Sequence, residues 1–154
     1  MILNYYGNDH VPSGEELNAR TLNNWLKENN GYNTTYNGGT IDWSSIVRLS
    51  KIINNHYIND PNFQGQVLKE EGGISGIQAM KDEIEHEYPL IAFNNTEWST
   101  YGHFFVLKGY DQDKFWINDP MDSKTKILDN IYLSVGRIYK PSENNEFHST
   151  IGIY

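Results

Sequence analysis

The chain has 154 residues, 38% hydrophobic and 21% charged, which suits one domain with a real core. A net charge of −8 with no Lys/Arg cluster disfavours nucleic acid and anionic membrane surfaces, and no apolar run approaches the ~18 residues that span a bilayer. Cysteine is absent, which removes disulfides, thiolate metal sites and a thiol nucleophile together.

Met1-Ile2-Leu3-Asn4-Tyr5-Tyr6 before Gly7 reads as the last turns of a helix with a glycine stop. Six residues nucleate a helix poorly on their own, so this is either a frayed turn or the end of a helix that begins upstream. No signal peptide is present in this stretch. Ser13-Gly14-Glu15-Glu16 has the capping-box pattern. Leu17, Leu22, Trp25 and Leu26 follow at helical spacing, with Gly31 as the C′ stop. A second helix is expected over 42–53, capped by Asp42, with Ile46, Leu49, Ile52 and Ile53 facing the core. Asn54 to Gly73 gives mixed signals and predicts a long loop or a short irregular strand. The third helix starts at Ser75, where Ser75-x-x-Gln78 repeats the capping logic. Ile77, Met80 and Ile84 form its apolar stripe, and Pro89 ends it.

From Leu90 the reading changes to strands: LIAF, FFVLKGY, KFWIND, and later segments near KILD, IYLSVGRIY and STIGIY. Helices first and an antiparallel sheet afterward predict a single α+β domain over 1–154. Asp111-Gln112-Asp113 separates two runs of strand formers, so the chain reverses there. Centred on Asp111, the register sets His103 opposite Asp119, Phe105 opposite Ile117 and Leu107 opposite Phe115. A small register change moves the carboxylate to a neighbouring pair, still within reach of the imidazole, with Asn118 as the other partner. A carboxylate beside an imidazole fixes its tautomer and favours the imidazolium. The free nitrogen can then take a proton from a nucleophile, which supplies two parts of a triad. The alternative is a satisfied buried histidine, with Asp119-Pro120 merely starting a turn.

GHFFVLKGYD and FWINDP together resemble the segment of the bacteriocin-processing (double-glycine leader) peptidases, a branch of the papain-like cysteine peptidases, that carries the catalytic His and its Asp. QAMKDEIEHEYPLIAFNN resembles the family's preceding helix and proline-led strand, and MILNYYG the end of its first long helix. The resemblance implies a papain-like α+β fold, with a helical N-terminal part packed on a C-terminal antiparallel sheet and a cleft between them. It implies His103 as general base, Asp119 as orienter and Asn118 as the fallback. The family's nucleophilic Cys sits at the start of that first helix, with an oxyanion-hole side chain a few residues earlier, so both are expected before Met1. No hydrolysis is expected of the 154 residues. The full-length form is expected to be a thiol peptidase in an extracellular or cell-surface setting. The other expectation is a non-catalytic relative that binds peptide in the old cleft. A peptide is the expected partner and no cofactor is implied. An exposed core patch at the shortened helix could drive a homodimer.

Other candidates are weaker. DEIEHE (82–87) lacks the spacing that puts two metal ligands on one helical face and reads as a solvated helix end. Asp111 and Asp113 lack the rest of a calcium loop. Ser99, Thr100, Ser44 and Ser45 are poorly sited to replace a thiol. Trp98, Trp116 and the tyrosines read as core or sheet-surface aromatics. His10, His56 and His148 have no evident partners in sequence.

Overall fold

The computed structural model describes residues 2–33, 40–74, 76–94, 103–112, 114–119, 122–129 and 135–142, with the backbone alone at 73–74, 93–94, 103, 122–129 and 135–136. The chain falls into two compact units, one of residues 1–69 and 141–154, the other of residues 70–140.

In the first unit, α1 (Ile2–Tyr5) ends at Gly7, whose φ is 75°. A Cβ there would meet the Gln64 carbonyl oxygen at 2.7 Å, so the position admits only glycine. No helix starts at Ser13. Gly14 takes φ 86°, and bonds from Val11 N to Glu15 O (2.9 Å) and Leu17 N to Asp9 O (2.7 Å) fold residues 9–17 into a turn. Helix α2 (Ala19–Glu28) is instead capped by Asn18, which accepts from the Arg20 and Thr21 amides while Thr21 Oγ1 accepts from Asn18 N. The capping box is present, five residues later than expected. At the other end Asn30 takes φ 52° and the Gly31 N–H bonds Leu26 O at 2.7 Å. This is a Schellman cap with Asn30 at C′ and Gly31 at C″.

Strands β1 (Tyr32–Asn33) and β2 (Thr40–Ile41) pair antiparallel. Helix α3 (Ser44–Tyr57) starts where Asp42 Oδ1 accepts from Ser44 N and Ser44 Oγ, and it buries Ile46, Leu49 and Ile53 as predicted, whereas Ile52 is only half-buried. Between α3 and the next strand, a buried polar network organises the loop. Asn8, fully buried, donates to Gln66 O (2.9 Å) and accepts from Asn54 Nδ2 (3.0 Å). Ser50 Oγ donates to Val47 O and accepts from Leu68 N.

Where a loop or irregular strand is expected, β3 (Leu68–Ile74) is a regular strand of seven residues. With β4 (Leu90–Asn94), β5 (His103–Asp111), β6 (Lys114–Asp119), β7 (Asp122–Asp129) and β8 (Val135–Pro141) it forms a six-stranded sheet in the order β3-β8-β4-β5-β6-β7. The pairs from β8 through β7 are antiparallel. In the second unit, Met80 on α4 (Ile77–Glu85) packs with Leu90, Ala92, Phe105, Leu107, Phe115, Ile117 and Ile138, and Ile77 and Ile84 flank it. Ser75 lies outside the described residues; the cap position is Gly76, at φ 98°, and Gln78 Nε2 donates to Asp82 Oδ1 (2.7 Å). STIGIY also lies outside them. Lys140 sits between Glu71 (2.7 Å) and Glu83 (3.0 Å).

Candidate active site

The β5–β6 hairpin forms as predicted, but its register differs. Asp111 pairs Lys114, so the reversal closes over positions 112 and 113 rather than on Asp111, with Gln112 at φ 47°. Tyr110 then faces Phe115 and Gly109 faces Trp116, the ladder shifts once, and Leu107 faces Ile117 and Val106 faces Asn118. The expected pairs of Leu107 with Phe115, Phe105 with Ile117 and His103 with Asp119 are therefore each displaced. Closing the turn over 112 and 113 moves the register by three positions, and a one-residue bulge at Lys108 takes one of them back. One extra residue on β5 lets Tyr110, Phe115, Leu107 and Ile117 all lie on the core face despite the break in odd–even alternation. Trp116 covers Gly109 closely; a Cβ there would stand 2.8 Å from the indole Cε3.

The consequences for the three candidate residues differ. Asp119, the last residue of β6, is buried at 7% exposure although ionisable. Continuing the ladder one step sets position 119 opposite Phe105, on the face of Ile117 and Leu107. Asn118, half-buried, pairs Val106 on the opposite face. Position 103 opens β5 opposite Asn94 of β4 and lies two residues from Phe105, hence on the same side of the pleat. Positions 103 and 119 are thus diagonal neighbours, a relation that spans ~7–8 Å between backbones and lies within reach of long side chains. Lys108 and Gly109, which govern this register, drew no notice in sequence; the available signal was a glycine inside a strand pattern.

Among the described residues no group of three His, Cys, Asp or Glu side chains could hold a metal ion. At 82–87, His86 Nδ1 lies 2.6 Å from Asp82 O at the end of α4. Among the described residues no helix is long and apolar enough to cross a membrane.

Helices together with this antiparallel sheet define the α+β fold of the papain-like cysteine peptidases. A solved structure of that class supports the assignment: the peptidase domain of Streptococcus ComA, a bi-functional ABC transporter involved in a quorum-sensing pathway. The likeness has a TM-score of 0.50 at 14% identity and covers 92% of this chain and 96% of that one. The family model described as the Peptidase_C39 like family matches residues 1–141, and the chain belongs to that family. No curated protein matches it.

Proposed function

We propose that this chain is the part of a C39-like peptidase domain that carries the general base His103 and its orienter Asp119. We further propose that the 154 residues hydrolyse no peptide, because they contain no cysteine. The supporting observation is the β5–β6 register, which assigns positions 103 and 119 to one face and 118 to the other. A carboxylate at 119 would hold the imidazole through its Nδ1 proton and favour the imidazolium, leaving Nε2 to take the proton of a thiol. The same parity favours Asp119 over Asn118. In the full-length form a thiol at the start of the first helix completes a peptidase. The family match runs through both compact units, which supports a single peptidase-like domain.

A second reading is a non-catalytic relative that binds peptide, favoured by the missing cysteine itself. The test compares peptide cleavage by the 154-residue protein with that by a version extended at its N-terminus by a Cys-Gly-Pro helix start. The first should give no turnover. The second should give alkylator-sensitive turnover that falls by about 10²–10⁴-fold in His103→Ala, the usual weight of a general base. Peptide binding without cleavage by the extended protein selects the second reading. Alkylator-resistant turnover by the 154-residue chain refutes both. DNA upstream of the Met1 codon gives an independent reading: an in-frame Cys-Gly-Pro supports the peptidase. Sedimentation of the same proteins tests the homodimer.

A further inference from the structure

A cleft lies within the first compact unit, and no hairpin residue lines it. It has a volume of about 340 Å³ and is lined in part by Asp9, His10, Tyr57, Asp60, Asn62 and Phe63, large enough for one long side chain. Its apolar wall is firmly built. The Tyr57 and Phe63 rings lie 5.3 Å apart between centroids. Tyr57 Oη donates to Val11 O at 3.0 Å. Phe63 N bonds Asp60 O, and the Phe63 ring lies so close over Gly65 that a Cβ there would meet Cζ at 2.1 Å.

The polar side of the cleft is anionic and unneutralised. Among the described residues the Asp9 carboxylate meets neither a cation nor a hydrogen-bond donor, and the Asp60 carboxylate accepts only the Asn62 N–H, through Oδ1 at 2.9 Å. No Lys or Arg lines the cleft. An anion or a purely apolar group would face these carboxylates without compensation. A divalent metal needs several oxygens at close range and gains nothing from an aromatic wall, and the described residues offer no group of ligands that could hold one. Aromatic faces beside carboxylates suit an organic cation, whose alkyl stem wants apolar contact and whose head wants negative charge.

We propose that this cleft takes the cationic side chain of a peptide, a lysine ammonium or an arginine guanidinium, with its stem along Tyr57 and Phe63 and its charge at Asp9 and Asp60. The proposal is independent of the His103–Asp119 reading and would survive its failure.

The experiment is amide NMR of the 154-residue protein titrated with acetyl-Gly-Gly-Lys-Gly-Gly-amide and with the norleucine counterpart, equal in shape but uncharged. The lysine peptide should shift the amides of Asp9, His10, Asp60 and Asn62 saturably, and bind at least about fivefold more tightly than the norleucine peptide. The double variant Asp9→Asn, Asp60→Asn should lose that preference while keeping a dispersed spectrum, since both positions are exposed. Equal shifts by both peptides, shifts scattered over other acidic surfaces, or preference retained in the double variant overturn the proposal. So does stoichiometric displacement of the peptide by calcium or magnesium at constant ionic strength, which would make the cleft an inorganic-ion site.

Discussion

Asn8 offers a sharp test of how the first unit is held together, through the isosteric change Asn8→Asp. The side chain is fully buried, donates to Gln66 O (2.9 Å) and Tyr6 O (3.4 Å), and accepts from Asn54 Nδ2 (3.0 Å). A protonated aspartic acid can still donate once and accept from Asn54, so at pH 4 or below the variant loses about one hydrogen bond, ~1 kcal/mol. An ionised aspartate cannot donate at all, and it sets a buried charge against the Gln66 carbonyl oxygen. Full burial raises a carboxyl pKa by roughly 3 or more. Folded above unfolded, this pKa means that stability is intact below about pH 3.9 and is lost as pH rises toward the folded value. At ~1.4 kcal/mol per pH unit, the added loss by pH 7 is about 4 kcal/mol. Urea unfolding of both proteins at pH 4 and pH 7 measures it. A difference between variant and parent that is equal at the two pH values, or larger at pH 4, refutes the reasoning.

Three further outcomes are expected. Ser50→Ala leaves the buried Leu68 N–H without its 3.0 Å acceptor and should cost about 1–3 kcal/mol in urea unfolding; an effect below ~0.5 kcal/mol counts against that network. Gly31→Ala sets a Cβ 2.3 Å from Leu26 Cδ2 and 2.9 Å from its Cα, so the melting temperature should fall by an amount corresponding to about 1–3 kcal/mol. At Lys140, burial alone would lower the ammonium pKa, but Glu71 and Glu83 outweigh it and hold the group above its ordinary value. Tyr110 is also held up, chiefly by its hydrogen bond to Glu85. Both groups bind their protons more tightly in the folded state, so their contribution is full below about pH 10 and is lost as pH rises further. Lys140→Met should flatten the alkaline decline in melting temperature; an unchanged decline assigns it elsewhere.

The core of the hairpin was legible because Phe105, Leu107, Phe115 and Ile117 fall on strand-period positions, and all four are buried. Its register was not. Phe104 through Leu107 are apolar without interruption, so that run carries no phase, and the glycine at 109 is the one residue type that marks an irregularity beside Lys108. Asp119 remained within reach of position 103 because the displacement was an even step, which keeps both on one face. The start of α2 is ambiguous in sequence because two capping patterns, at Ser13 and at Asn18, lie five residues apart. Gly14 decides between them by taking a left-handed conformation that a helix start does not use. Strand β3 was hidden by LKEEGGI, a composition poor in strand formers. Its glutamates are matched from β8, Glu70 by Arg137 and Glu71 by Lys140, a long-range pairing that a local reading does not see. The cleft at Asp9 and Asp60 joins segments about fifty residues apart, so it too lay beyond any motif.

The bulge on β5 also governs where this hairpin can change length. Lys108 is a supernumerary position: pairs on both sides of it keep their faces, so excising it should yield an unbroken ladder with every partner retained. Excising Val106, two residues away, either drives a lysine into the core opposite Ile117 or exchanges the faces of Phe104, Phe105 and position 103. Relatives of this chain should accordingly lose or gain a residue at 108 with little penalty and guard their spacing at 106. A single-residue gap in an otherwise matching hairpin is then no sign that the far end of the strand has moved.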